Sequence, residues 1–324
     1  MRRREFISLV SSTALAWPLG AGAQEPGRVY RLAVVVTYGR DEPAALAFLD
    51  ELRIQDFVEG KNLEIIPDGF RIRNDQAATV VPAIVKAAPD AIVSAGDFIT
   101  QKFQEATKSI PLVAMTEDMV AAGFAASLAR PGGNITGISL LSPDLDGKRQ
   151  DILIEAVPNA RRIAILADSN VATLEHLGAL ETSARSSHGK ELLVVRVANA
   201  NELGAAINDA SAQGAAALNV LSSPMLHVNR GVIIQRAAQL RLPAIYQWPE
   251  TADDGGLLGY GPSFIEVNRQ RARMVARVLR GAKPADLPIE QPNTFKLTIN
   301  LKTAKAMSHT VPAALVLRAD KLIE

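Results

Sequence analysis

From Val29 onward the chain alternates short β-branched apolar runs with longer amphipathic stretches. That is the pattern of βαβ units around a parallel sheet buried on both faces. The first run, Leu32 to Thr37 (LAVVVT), predicts a strand, and Pro43 to Val58 a helix. Leu63 to Pro67 and Asp75 to Ala88 repeat the pair, and a strand at Ala91 to Ala95, a helix at Phe98 to Lys108, a strand at Leu112 to Met115 and a helix at Val120 to Leu128 continue it. Arg130-Pro131-Gly132-Gly133-Asn134 then forces a stop and a turn before a strand at Ile135 to Leu140.

A helix over Leu145 to Val157 leads into a second cycle that opens, like the first, on an apolar strand, Arg162 to Ala167 (RIAILA). Helices at Val171 to Ser187, Glu202 to Gln213 and Val228 to Leu240 alternate with strands at Leu192 to Val197, Ala216 to Leu221 and Ala244 to Tyr246. Gly255 to Tyr260 is a further short strand, Phe264 to Arg280 a long helix with several arginines on its polar side, Phe295 to Leu301 a late strand and Pro312 to Leu317 a last helix. The repetition predicts an α/β protein of two similar open lobes. Residues 29–142 form the first and 143–262 the second, with 263–294 returning to the first and 295–324 crossing back near the hinge.

Ahead of this pattern, residues 1–23 (MRRREFISLVSSTALAWPLGAGA) read as an export signal. Arg3, Arg4, Phe6 and Ile7 fit the R-R-x-F-[LI] core of a twin-arginine signal, and Ala21-Gly22-Ala23 offers small residues for cleavage near Ala23/Gln24. The apolar stretch from Phe6 to Leu19 is broken by Ser11, Ser12, Thr13 and Pro18, well short of the roughly 20 residues of a spanning helix. A periplasmic protein is therefore expected.

Charge changes the picture by exclusion. With 35 basic and 34 acidic side chains in 324 residues, there is no electrostatic footprint for nucleic acid. The absence of cysteine removes disulfides, thiol nucleophiles and zinc–thiolate sites. His176, His188, His227 and His309 are far apart in sequence and read as solvated surface residues, so neither a metal nor a cofactor is expected.

In open parallel sheets ligands bind beyond the carboxyl ends of the strands. In the first lobe those positions hold Thr37-Tyr38-Gly39, Ser94-Ala95-Gly96-Asp97 and Thr116-Glu117-Asp118. In the second they hold Asp168-Ser169-Asn170, Ser222-Ser223-Pro224-Met225 and Tyr246-Gln247-Trp248. Each has a plain alternative. Asp97, Asp118, Asn170, Ser222 and Ser223 are ordinary helix caps, and Tyr38 and Trp248 could pack between the lobes. Gly255-Gly256 and Gly259-Tyr260-Gly261-Pro262 match neither G-x-G-x-x-G nor a P-loop and read as turn or hinge glycines, with Asp253-Asp254 a solvated acidic turn. No G-x-S-x-G elbow is present. Carboxylates are plentiful, so a periplasmic enzyme using a cleft pair stays open as an alternative.

Four ordered segments, R-P-G-G-N-I-T-G (Arg130 to Gly137), L-P-A-I-Y-Q-W (Leu242 to Trp248), G-G-L-L-G-Y-G-P (Gly255 to Pro262) and K-P-A-D-L-P-I-E-Q-P (Lys283 to Pro292), resemble the ABC transporter substrate-binding proteins of the tryptophan/tyrosine-type family. The start M-R-R-R-E-F-I and the close I-N-L-K-T-A-K-A are similar too, so the resemblance runs from end to end. It implies two Rossmann-like lobes in a hinge-linked periplasmic-binding-protein architecture, closing on a small solute, an amino acid or aromatic compound, for an ABC permease of the inner membrane. No catalysis is implied, and a monomer is expected. A receptor that passes its ligand to a membrane kinase differs only in its partner.

Carried onto this chain, the resemblance places the cleft at Thr37, Tyr38, Gly96, Asp97, Thr116, Glu117, Asp118, Asn170, Ser222, Ser223, Tyr246 and Trp248. Trp248 and Tyr38 would stack on an apolar portion of the ligand, Asp118 or Asp97 would meet an amine, and Ser222, Ser223 and the helix N-terminus behind them a carboxylate. The chain also departs from the family. Asp118-Met119 stands where members often have Asp-Pro, Ser222-Ser223-Pro224 replaces a commoner Asp-Pro-like turn, and Asp97 and Glu117 add acidity to one wall. An acidic wall suits an amine better than a dicarboxylate.

Overall fold

The computed structural model describes residues 27–324, so the export signal expected at residues 1–23 lies outside the described residues. The first part runs β1 (Tyr30–Val35), α1 (Pro43–Ile54), β2 (Leu63–Ile66), α2 (Ala77–Lys86), β3 (Ala91–Ala95), α3 (Asp97–Ala106), β4 (Leu112–Thr116) and β5 (Ile135–Ser139). Its five strands form one parallel sheet in the order β2-β1-β3-β4-β5. Successive residues of β1 enter opposite cores: Leu32 and Val34 pack with Phe48 and Val275, Ala33 and Val35 with Ile84 and Phe103. An unbroken apolar run is what a strand with both faces covered requires.

The second part runs α4 (Ser142–Ala156), β6 (Arg162–Asp168), α5 (Leu174–His188), β7 (Glu191–Val197), α6 (Leu203–Ala212), β8 (Leu218–Val220), α7 (Pro224–Val228), α8 (Arg230–Gln239), β9 (Ala244–Tyr246) and β10 (Leu258–Gly261). It is followed by α9 (Phe264–Leu279), β11 (Lys296–Asn300), α10 (Leu301–Ala306), α11 (Ala313–Val316) and β12 (Lys321–Ile323). The second sheet has the order β12-β11-β10-β9-β8-β6-β7, parallel except where β11 runs against β10. Within it β7-β6-β8-β9-β10 repeats the strand order of the first sheet. The molecule is thus two Rossmann-like lobes. Helix α9 packs on α1 and on β3, β4 and β5 of the first lobe, after which β11 returns to the second.

Several local expectations are corrected. The apolar stretch Val120 to Leu128 is a series of turns, not a helix. The Asp118 carboxylate accepts the N–H groups of Val120 and Ala121, but Gly123 at φ +74° ends the turn, and Met119 and Phe124 fold under into the core. The strand expected to run to Leu301 ends at Asn300 and passes directly into α10, because the Asn300 side chain accepts the Thr303 N–H at 2.9 Å. Helix α7 and strand β12 lack a counterpart in the sequence pattern. In α9, Arg271 is fully buried instead of lying on the polar side.

Gly259 and Gly261 are strand glycines of β10, not turn or hinge residues. A Cβ on Gly259 would stand 2.6 Å from the Trp248 carbonyl oxygen and one on Gly261 2.1 Å from that of Gln247. This pair of glycines lets the chain leaving β9 press against β10, which sets Gln247 and Trp248 at the sheet's end. No helix among the described residues is long and apolar enough to cross a membrane.

Candidate functional site

In both sheets the first strand in the sequence lies between its successor and the third strand, so the chain reverses direction of travel beside β1 and β6. Loops diverge at such points and open a crevice beyond the carboxyl ends. The two crevices face each other. One cavity lies between them, lined from the first lobe by Thr37 and Tyr38 after β1, Ala95 and Gly96 at the end of β3, Met115 and Glu117 at the end of β4, and Leu140 after β5. The second lobe contributes Ser223, Pro224 and His227 after β8, and Gln247 and Trp248 after β9; Phe264, at the start of α9, closes one side. The free space at its centre is about 30 Å³, room for roughly two water molecules.

The lobes touch at the rim. A Cβ on Gly96, whose φ is +86°, would come within 2.9 Å of Pro224 Cγ across the cleft. Glu42, just ahead of α1, approaches the Arg230 guanidinium at the start of α8 to 3.8 Å. This conformation is therefore closed.

On the first wall the acidic groups are unevenly used. Tyr38 turns its hydroxyl away from the cavity, donating to Asn268 Oδ1 at 2.7 Å and accepting from Arg271, and burial raises its pKa. Asp97 is the first residue of α3, and its Oδ1 accepts the Glu117 N–H at 3.1 Å. Burial pushes the Asp97 carboxyl up to about 6. Glu117 lines the cavity, its Oε2 buried without a hydrogen-bond partner among the described residues. Burial, reinforced by the Asp97 charge, pushes the Glu117 carboxyl up to about 8. Thr116 is buried behind it, and Asp118 caps the turn at Val120 and Ala121 without reaching the cavity.

On the second wall most polar groups serve the fold. Ser223 Oγ donates to Asp168 Oδ2 at 2.7 Å and accepts the N–H groups of Met225 and Leu226, capping α7. Ser222 Oγ accepts from Arg149 at 2.9 Å. Asn170 is exposed, bonded to Asp168 and the Ala198 carbonyl, and lies off the cavity. Tyr246 is buried in the second lobe's core, and burial raises its pKa. Trp248 leaves the second sheet but packs among first-lobe residues, its ring 4.6 Å from Phe264.

Of the twelve residues singled out in the sequence, the cavity lining brings together Thr37, Tyr38, Gly96, Glu117, Ser223 and Trp248. Asp97, Thr116, Asp118, Asn170, Ser222 and Tyr246 stand behind it or beside it. Met115, Leu140, His227 and Phe264 were missed. Two of these have a local signal: Ser263-Phe264-Ile265-Glu266 is an S-x-x-E helix start, and Ser223-Pro224 pairs a cap with a proline at the first helical position, which launches α7 and carries His227 to the cleft.

His227 also corrects the expectation of a solvated surface histidine. Its ring lies 4.8 Å from Phe264 and 6.1 Å from Trp248, its Nε2 is buried and unpartnered among the described residues, and burial with the nearby Arg230 charge pulls its pKa down to about 3. It is a neutral imidazole. His176 and His309 are half-buried as well, His176 bonded to Asp146 at 3.0 Å. No group of three or more His, Asp or Glu among the described residues is placed to hold a metal ion. The arrangement suits binding: rings, one carboxyl and one imidazole converge from two lobes, and no lysine or arginine lines the cavity.

Comparison with known proteins agrees with that architecture. The family profile described as ABC transporter substrate binding protein matches residues 38–323. The tyrosine-binding protein of Clostridioides difficile is 25% identical over 274 residues, covering 82% of this chain and 76% of that protein. A conserved domain protein from Vibrio cholerae superimposes with a TM-score of 0.81 at 24% identity, covering 91% of this chain and 100% of the other. A Streptococcus pneumoniae domain solved in complex with L-Trp gives 0.80 at 20% identity, again covering 91% and 100%.

Proposed function

We propose, from the premise that this chain belongs to the ABC transporter substrate-binding protein family, that it captures a small solute between its lobes and hands it to an ABC permease without transforming it. The observation that carries this reading is the single cleft walled by strand ends of both sheets, with rim contacts that exist only when the lobes meet. Contacts made in one state alone are what allow a ligand to shift a hinge equilibrium. The relatives named for tyrosine and tryptophan support an amino acid or aromatic compound as the solute.

The reading includes export by the twin-arginine segment with cleavage near Ala23/Gln24, residence in the periplasm and action as a monomer. It takes the lobes as 29–142 with 263–294, and 143–262 with 295–324. A thermal-shift screen against amino acids, aromatic acids, amines and sugars tests it, with recovery of each hit and titration of tryptophan fluorescence. A saturable shift by an intact compound, lost in Trp248→Ala, is expected. Consumption of the compound, or no shift from any class, would overturn the reading.

A further inference from the structure

The side chains around the cavity are chemically one-sided. Among the described residues Glu117 is its only carboxyl, and neither lysine nor arginine lines it. The terminal nitrogens of the nearby guanidinium groups are bonded elsewhere, although the buried Nε of Arg149 and of Arg271 has no partner among the described residues. Arg149 donates to Asp146, Ser222 and the Tyr260 carbonyl, and Arg271 to Tyr38, Asn268 and the Ser94 carbonyl. Arg230 is bonded to Asp254 and to the His227 carbonyl, besides facing Glu42. A carboxylate placed in the cavity would meet no cationic side chain.

A cation would meet a complete set of partners. Tyr38, Phe264 and Trp248 form a continuous ring cluster, with centroids 5.2 Å apart between Tyr38 and Phe264 and 4.6 Å between Phe264 and Trp248. Aromatic faces attract cations. Two lining residues on opposite lobes, Glu117 and His227, each keep one buried polar atom unpartnered among the described residues. A neutral imidazole with its proton on Nδ1 presents Nε2 as an acceptor, and the Glu117 carboxyl, which burial keeps protonated to about 8, accepts once an entering cation has displaced that proton to solvent. Two acceptors on opposite walls call for a ligand head with at least two donors.

We propose that the cleft selects a primary organic ammonium ion, its N–H groups shared between Glu117 and His227 and its charge boxed by Tyr38, Phe264 and Trp248, in preference to the corresponding amino acid. This rests on the solute-receptor reading and narrows its ligand. Burial that keeps His227 uncharged removes what would otherwise repel the cation. The small central space and the mutual contact of Phe264 and Trp248 fit the ammonium head, while a bulky substituent requires the rings to part.

The test is calorimetric titration of the purified protein with matched probes: butylammonium against norvaline, tyramine against tyrosine, and butylammonium against butyltrimethylammonium. At least one primary amine binds about tenfold or more tighter than both its amino acid and its trimethylated counterpart, as expected for a site whose buried unpartnered lining atoms, Glu117 Oε2 and His227 Nε2, are acceptors. Glu117→Gln lowers amine affinity by about tenfold or more. His227→Phe, which keeps the ring and removes the acceptor, gives the same direction and serves if the first variant does not fold. An amino acid that binds as tightly as its amine, or variants that leave amine affinity unchanged, would overturn the inference and leave the receptor reading standing. No binding by amines, amino acids or sugars would overturn both.

Discussion

Behind each wall of the cleft lies one fully buried arginine, Arg271 behind the first and Arg149 behind the second, and their surroundings differ. Arg149 faces a carboxylate, Asp146, which also accepts from His176 and from the Ser222 N–H. Arg271 has no carboxylate partner among the described residues; it donates to the Tyr38 hydroxyl, Asn268 Oδ1 and the Ser94 carbonyl and lies over the Phe48 ring. The second wall therefore spends its acid on its own arginine. The first wall leaves Glu117 Oε2 without a partner among the described residues and gives Asp97 Oδ1 a single backbone N–H, so the acid that reaches the cavity comes from one side only.

Removing the two arginines tests that difference, and the largest effect belongs to the second wall. Arg149→Met strands Asp146 in a buried site, a loss of about 3–5 kcal/mol in urea unfolding. Arg271→Met leaves Tyr38 and Asn268 bonded to each other at 2.7 Å. Its loss is about 1 kcal/mol or less. Equal losses would mean that the two arginines are held alike and that the asymmetry of the walls has another origin.

Acidity of the first wall gives the next effect. Glu117 holds its proton to about 8 against an ordinary 4.5, and Asp97 to about 6 against 3.8. Between ordinary and raised values the unfolded chain has released a proton that the folded chain keeps, so the folded state binds more protons and stability falls as pH rises. The contribution is whole below about 4 and gone above about 8. Unfolding of the ligand-free protein at pH 5 and pH 8.5 measures it. Glu117→Gln flattens the upper half of this profile and Asp97→Asn the lower.

How much of this was legible in sequence follows from the range of the interactions. Strands β3 and β9 fall where the apolar runs begin and end, because local burial decides them. Six of the cavity's lining residues stand in strand-end turns for the same local reason. The rest depends on distant partners. Tyr38 was expected to offer its face to a ligand, but the hydroxyl is anchored on α9 at Asn268, 230 residues away. Asp118 and Glu117 are neighbours of like chemistry, and only the turn that Asp118 caps sends Glu117 to the cavity. Arg271 looked like one polar residue among several on α9; the contact of that helix with α1 and the first sheet makes its face an interior one.

Gly96 sharpens the comparison at the point where the walls touch. Its φ of +86° and the 2.9 Å from its ideal Cβ position to Pro224 Cγ leave no space for a side chain in the closed form. Gly96→Ala adds a backbone strain of about 1–3 kcal/mol. It also holds the lobes apart, so ligand affinity falls by about tenfold. Small-angle scattering of the variant at saturating ligand would then show a larger radius of gyration than the parent. Ala at Gly231, where no atom lies within 4 Å of the added Cβ, is the matched substitution on the second lobe, and it changes neither quantity.

The smallest effect is at the Glu42–Arg230 rim pair. The two side chains are partly exposed and 3.8 Å apart, Arg230 holds Asp254 more closely at 2.6 Å, and Glu42 already accepts the Gly39 N–H at 2.9 Å. Such pairs contribute about 0.2–1 kcal/mol and weaken with salt. Glu42→Gln keeps the bond to Gly39 and removes only the attraction across the rim, so ligand release speeds up by about twofold at low ionic strength and hardly at all in high salt. Asp254→Asn acts in the opposite direction, because it frees Arg230 for Glu42 and slows release. Stopped-flow tryptophan fluorescence of both variants over a salt series measures this. Were the two variants to change release in the same sense, the pair would not be a contact of closure, and Gly96 with Pro224 would be left as the close approach between the walls.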